Sequence, residues 1–130
     1  KPRTLESQIV HDADVLEKSG LLGIIRHSWK MTNLGKIAPG NITRNSVTEI
    51  LSHLKWRSKQ LQTSVGKKLH SHLMIPITLT KAEEIISAVA EKAIEGITTE
   101  KIARSLYKKL TRRQRKKLKE QLSLAHLKRF

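Results

Sequence analysis

The stretch Ile9–Arg26, IVHDADVLEKSGLLGIIR, decides the fold class of this chain. In its first half, apolar residues recur mostly three or four positions apart, as one buried helix face requires. Ser19 and Gly20 interrupt the pattern, and a second apolar run then predicts a helix from about Leu21 to Met31. The stretch therefore predicts two consecutive helices joined by a very short turn.

Helical signals continue through the rest of the chain. Ser46–Glu49 and Thr80–Glu83 each have the pattern of a capping box, and an apolar helical pattern follows each of them. Pro76 lies in an extended connection and argues against an interior strand there. Further helix starts are predicted at Thr4, at Thr98 or Thr99, and at Thr111. We count seven helices and no strand, which predicts an all-α helical bundle.

The overall composition limits the class of protein. The chain has 130 residues, enough for one domain around one core, and it contains no cysteine. The lack of cysteine excludes disulfides and thiolate metal sites and favours a reducing compartment. No apolar run approaches a membrane span and no signal peptide opens the chain, so we expect a cytoplasmic protein without a membrane partner. Because the first residue is Lys1 rather than Met, we expect a chain processed or cut from something longer.

Basic charge is concentrated at the C-terminal end. The formal net charge is +15, and residues 101–130 contain 12 of the 26 basic residues but only one acidic residue, Glu120. This density favours salt-sensitive binding to nucleic acid or to an acidic partner. The alternative is a solvated helix, or a tail folded on an acidic face of the same protein. The candidate residues are Lys108, Lys109, Arg112, Arg113, Arg115, Lys116, Lys117 and Lys119.

Aromatic residues are rare in this sequence. Trp29, Trp56, Tyr107 and Phe130 are the only four, which argues against a platform that stacks a series of bases. The two tryptophans stand at helical positions beside apolar neighbours. We therefore expect both to pack in the core or at its edge rather than stack on a ligand.

Three charged or titratable residues interrupt the apolar pattern of the first predicted helix. His11 and Asp14 are three positions apart and share a face of the helix, whereas Asp12 points elsewhere. A pair of aspartates two positions apart most often caps or solvates a helix start. The residues that follow this pair allow a more specific interpretation.

The segment resembles the last motif of the HD superfamily of metal-dependent phosphohydrolases. In one large branch of that family the motif is a hydrophobic pair, D-A-D-x-L-[DE], a few residues, and then G-[AL]-x-G-I-x-R. This chain has Asp12-Ala13-Asp14-Val15-Leu16-Glu17, then Gly20, and Gly23-Ile24-Ile25-Arg26. The match covers about eighteen residues at several fixed spacings. The resemblance implies an all-helical HD-type domain.

The resemblance also implies roles for individual residues. Asp14 corresponds to the family's final metal-binding Asp, and Asp12 and His11 are the alternatives. A carboxylate there suits a divalent metal, Mn, Mg or Fe, which in the family activates water against a phosphate ester. Arg26 is similar to the family's arginine and would lie near the substrate phosphate, a role that Lys18 could share. The implied substrate is a nucleotide or another phosphate ester.

The chain departs from the family upstream of this motif. The family's first His and its His-Asp pair would precede Lys1, and a single carboxylate does not hold a catalytic divalent ion. We expect a missing N-terminal half, or a second chain, to supply these ligands. Residues 1–79 would then be the C-terminal portion of the HD-type domain, and residues 80–130 a basic helical extension, packed on the same core or standing apart. The competing hypothesis is a non-catalytic basic module that binds nucleic acid or an acidic partner.

Overall fold

A computed structural model describes residues 4–127, and all regular secondary structure in that range is helical. The seven α-helices are α1 Leu5–Glu17, α2 Gly20–Asn33, α3 Arg44–Ser58, α4 Ser64–Leu73, α5 Leu79–Ala93, α6 Thr99–Ser105 and α7 Arg112–Leu127. A short 3-10 turn, Tyr107–Lys109, lies between α6 and α7. The predicted all-α helical bundle is therefore confirmed. None of the helices within this range is long and apolar enough to cross a membrane.

Threonine side chains begin six of the seven α-helices that the structure describes, two of them at positions that differ from the prediction. Thr4 caps α1 as expected, because its side chain accepts a hydrogen bond from the Ser7 amide. The predicted start at Ser46 is wrong, since Thr43 accepts from the Ser46 amide and begins α3 three residues earlier. The predicted start at Thr80 is also wrong, because Thr78 is the cap of α5. In each case a threonine in extended conformation lies two or three residues before the predicted capping box and begins the helix instead.

Helix α2 lies at the centre of the molecule and contacts α1, α3, α5, α6 and α7. Its first turns are apolar on every side, with Leu21, Leu22, Ile24 and Ile25 at most 2% exposed, and such a helix must be buried all round. The main core around it includes Val47 of α3 together with many residues beyond position 79. The residues after 79 that join it are Ala82, Ile85, Ile86, Ala88, Val89, Ile102, Ala103, Leu106, Leu110, Leu118 and Ala125. The basic extension therefore packs on the same core as the front of the chain.

Gln121 of α7 holds the junction between α1 and α2 together. Its side chain is buried, and its Oε1 accepts from the Leu22 amide at 3.2 Å. Its Nε2 donates to the carbonyl oxygens of Leu16 at 3.2 Å and Ser19 at 2.7 Å. These backbone groups lie at the end of one helix and the start of the next, where the Leu22 amide belongs to the first turn of α2 and lacks a partner within that helix. The Ser19 side chain makes no cap, so Gln121 supplies the contact that the turn itself does not.

Candidate anion-binding site

The turn between α1 and α2 brings Lys18 against the side of α2. Lys18 is the C-cap of α1, and Gly20 begins α2 with φ of 59°, a conformation that favours glycine. A β-carbon at Gly23 would collide with the backbone carbonyl of Lys18. The glycine therefore lets the end of α1 lie directly on α2. As a result, Lys18 and Arg26 line the same pocket, so the structure brings together the two residues expected near a substrate phosphate.

This pocket, which we call the cationic pocket, has a volume of about 130 Å³ between the α1–α2 turn, α2 and α3. Its lining contains four basic side chains and no carboxylate. Basic side chains around a concave surface attract anions, and the surrounding low dielectric strengthens the attraction. The lining residues are Lys18, Gly23, Arg26, His27, Lys30, His53, Leu54 and Arg57.

Two carboxylates stand just behind the lining. Lys18 Nζ lies 3.1 Å from Asp14 Oδ2, in a pair whose side chains are both more than a third exposed. Arg26 Nη2 lies 2.8 Å from Glu17 Oε1, in an ion pair that is mostly buried. Arg26 Nε is buried and has no hydrogen-bond partner among residues 4–127. Glu17 thus anchors the guanidinium beside the pocket.

Two histidines stack inside the cationic pocket. The rings of His27 and His53 are nearly parallel, with centroids 4.4 Å apart and an interplanar angle of 13°. Burial, followed by electrostatic repulsion from His53 when it is protonated and from Lys30 and Arg57, lowers the pKa of His27 from 6.5 to about 4. Burial and the cations Arg57 and Lys30 also lower the pKa of His53. Both rings are therefore neutral at pH 7, and each can donate one hydrogen bond without adding charge.

Asp14 lies one helical turn before Lys18, on the side of α1 that leads to the cationic pocket. Its carboxylate is 39% exposed and is held by the Lys18 ammonium. Within residues 4–127, no three His, Cys, Asp or Glu side chains are grouped so as to hold a metal ion. The His, Asp and Glu side chains of residues 4–127 therefore do not by themselves form a site for a divalent metal. The role of Asp14 as one ligand of such a site remains a prediction.

Asp12 is buried in a network of hydrogen bonds, whereas Asp14 is partly exposed. It is 2% exposed, and its carboxylate accepts from the Gln62 amide at 2.7 Å, the Thr63 amide at 2.7 Å and the Thr63 hydroxyl at 2.6 Å. Burial alone would raise the pKa of Asp12, but these hydrogen bonds, with His11 Nδ1 at 3.5 Å, outweigh it and lower the pKa. A β-carbon at Gly66 would collide with the same carboxylate. Asp12 therefore joins α1 to the start of α4.

The basic residues predicted to bind nucleic acid lie on the 3-10 turn and on α7. Most are exposed, whereas Arg115 and Lys117 are partly buried. A groove of about 730 Å³ between α4 and α7 is lined by Arg112, Arg115, Lys116 and Lys119. Glu120 also lines it and pairs with His72 of α4, at 2.8 Å from its Nε2. The predicted residues thus divide between this groove and the open surface.

Sequence reasoning missed half of the cationic pocket. Lys30 and Arg57 were not predicted as ligand-binding residues, and neither were His27 and His53. A weak signal existed, because His27 and Lys30 share one helix face, as do His53 and Arg57. The contact between α2 and α3 that joins the two pairs is not visible in the sequence. The expectation that Trp56 packs in the core is also wrong, since 57% of it is exposed.

Comparison of the chain with known protein families, with curated proteins and with solved structures finds no match. The site must therefore be interpreted from its own geometry.

Proposed function

We propose that this chain forms the phosphate-binding part of an HD-type metal-dependent phosphohydrolase that acts on a nucleotide or another phosphate ester. The observation that carries the proposal is the cationic pocket, which gathers four basic side chains and two neutral histidines without a carboxylate in its lining. Asp14, the proposed last metal ligand, lies 3.1 Å from the Lys18 ammonium at the edge of this pocket. The motif in the sequence and the geometry of the pocket thus indicate the same part of the chain as the phosphate-binding site.

The pocket has the chemistry that a phosphate group requires. Arginine offers paired N–H donors that match two phosphate oxygens, and lysine offers a compact charge beside them. Arg26 lines the pocket from α2 and Arg57 lines it from α3. The neutral histidines add donors without raising the cost of bringing four cations together. Bound phosphate would therefore lose little hydrogen bonding on leaving water.

The metal ligands beyond Asp14 must come from another part of the protein or from a second chain. The surface of α1 supports such a partner, because Leu5, Ile9 and Val10 are each more than half exposed. An apolar groove of about 550 Å³ between α1, α4 and α7 continues this surface. Exposed apolar surfaces of this kind commonly mark protein interfaces. We assign no catalytic step to the residues present, since they do not complete the metal site.

Binding of inorganic phosphate tests the proposal directly. We expect the wild-type protein to bind phosphate at pH 7 and low ionic strength, measured by isothermal titration calorimetry. Arg57→Gln should weaken binding about tenfold or more, because a charge-assisted hydrogen bond contributes about 1.5–3 kcal/mol. Arg113→Gln makes the same change of charge on the exposed surface of α7 and should leave binding unchanged.

The metal-dependent part of the proposal has a separate test. Native mass spectrometry and metal analysis of the protein, purified with any associated chain, should show a stoichiometric Mn, Fe or Mg. Asp14→Asn should remove the metal and the hydrolysis of phosphate esters while phosphate binding persists. A metal-free protein without an associated chain would refute the hydrolase, and equal phosphate binding by Arg57→Gln and Arg113→Gln would refute the phosphate site.

The groove between α4 and α7 favours a second candidate function, nucleic-acid binding by a basic module. Four predicted basic residues line this groove. Binding to double-stranded DNA should then weaken steeply with salt, roughly in proportion to the phosphates neutralised. The combined substitution of Arg112, Arg115 and Lys116 by Gln should abolish this binding in a fluorescence-anisotropy titration, whereas Asp14→Asn should not affect it. DNA binding that is unchanged by the triple substitution would exclude this function.

A further inference from the structure

The two tryptophans of the chain have opposite environments. Trp29 is partly buried against the core, and its indole Nε1 donates to the Ile97 carbonyl oxygen at 2.8 Å. Trp56 is 57% exposed on α3. A single exposed apolar side chain is common on protein surfaces, so its exposure alone indicates nothing. The position of Trp56 next to the cationic pocket is what makes it informative.

Three aromatic rings lead from the cationic pocket to the surface. His27 stacks on His53 within the pocket, and the His53 ring centroid lies 5.8 Å from that of Trp56. His53 and Trp56 are three residues apart on α3 and therefore share one face of that helix. Arg57 follows Trp56 directly and lines the pocket. The indole is thus the outermost ring of a row whose inner end lies among the four cations.

We propose that Trp56 is a stacking platform for the planar ring of a ligand whose phosphate occupies the cationic pocket. The inference rests on the proposed phosphate site and narrows its substrate class. A nucleoside phosphate carries an anionic group and an aromatic ring within one small molecule, which matches a pocket of positive charge beside an exposed indole. A sugar phosphate, by contrast, would use the pocket and leave Trp56 without a role.

Stacking makes a prediction about selectivity among bases. Every nucleobase has a π-face, so an indole platform accepts purines and pyrimidines with modest differences. Discrimination among the bases would require polar groups that meet the edge of the base, which stacking on Trp56 does not supply. The protein should therefore prefer nucleoside phosphates as a class over phosphates without an aromatic ring.

Titrations of the whole chain with adenosine monophosphate and with ribose 5-phosphate test the inference. Both ligands carry the same phosphate and ribose, so their difference isolates the base. Wild-type protein should bind adenosine monophosphate about tenfold more tightly, the effect typical of one stacked base. Trp56→Ala should lower that affinity to the level of ribose 5-phosphate and leave ribose 5-phosphate unchanged. Trp56→Phe should retain part of the preference.

The outcomes separate this inference from the proposed function. Arg57→Gln should weaken both ligands, because it acts on the phosphate. Equal affinity for the two ligands, or an unchanged preference in Trp56→Ala, would overturn the stacking role and leave the phosphate site standing. If neither ligand binds, the phosphate site and the stacking role both fail. Because the Trp56 side chain is exposed, the substitution should not alter the fold, and circular dichroism checks this.

Discussion

Lowering the pH from 7 to 5 should destabilise this protein through the histidines of the cationic pocket. The pKa of His27 is about 4 in the folded protein, against an ordinary value of 6.5, so the unfolded chain takes up its proton first as the pH falls. The stability that neutral His27 contributes is therefore complete above pH 6.5 and is lost as the pH falls from 6.5 toward 4. His53 acts in the same direction, because its pKa is also lowered.

The magnitude follows from the displaced pKa. The value pH 5 lies about 1.5 units below the pKa of the histidine in the unfolded chain. Protonation of the unfolded chain would therefore reduce the free energy of unfolding by about 2 kcal/mol. Since His27 is only partly buried, solvent screening reduces this toward about 1 kcal/mol. The cations that oppose protonation of the ring are Lys30 and Arg57, whereas Lys18 and Arg26, which line the same pocket, are each paired with a carboxylate.

A bound anion should reverse this loss. Sulfate keeps its double charge between pH 5 and pH 7, and in the pocket it would neutralise the cations and raise the pKa of His27. Urea unfolding in chloride and in sulfate, at both pH values, measures the effect. Wild-type protein should lose about 1–2 kcal/mol in chloride at pH 5 and clearly less in sulfate.

His27→Gln separates this effect from the general stabilisation by sulfate. The variant keeps a polar side chain without a titrating group, so its loss at pH 5 should be smaller and its gain from sulfate similar at the two pH values. His70, whose pKa burial also lowers, contributes the same background to both proteins. Equal losses in wild type and His27→Gln would refute the coupling between His27 and the cations of the pocket.

Two further predictions concern the contacts that build the site. Asp12→Asn places an amide N–H₂ opposite the donors of Gln62 and Thr63. We expect it to reduce the free energy of unfolding, measured in urea, by about 2–4 kcal/mol. A loss below about 0.5 kcal/mol, the usual effect of a surface change, would contradict this role of Asp12. Gln121→Ala removes three buried hydrogen bonds at the α1–α2 junction, so we expect a loss of about 2–3 kcal/mol and faster amide hydrogen exchange at Leu22. Unchanged exchange at Leu22 would show that the Gln121 contact does not hold the junction.

The sequence was sufficient for the local structure because its signals act over a few residues. The apolar spacing of Ile9–Arg26 predicted α1 and α2, and Thr4 capped α1 as expected. The errors at Ser46 and Thr80 were also local, since two adjacent candidates for a cap differ by little free energy and the sequence does not rank them.

The difference between Asp12 and Asp14 was only partly predictable. Their spacing on a helix shows that the two carboxylates point in different directions. Which of them faces the start of α4 and which faces solvent depends on where α4 packs, fifty residues later in the chain. The tertiary structure therefore assigned Asp12 to a buried hydrogen-bond network and left Asp14 accessible.

The sequence by itself determined the all-α fold class and the two consecutive helices at its start, and its resemblance to the HD superfamily made Lys18 and Arg26 candidates for binding phosphate. Only the tertiary structure decided that α3 packs against α2 so that Arg57 and His53 face them, and that Trp56 stands at the outer end of the pocket. The physical reason is range. Helix propensity and capping act within a few residues, whereas a binding pocket depends on side chains brought together by the burial of distant apolar faces.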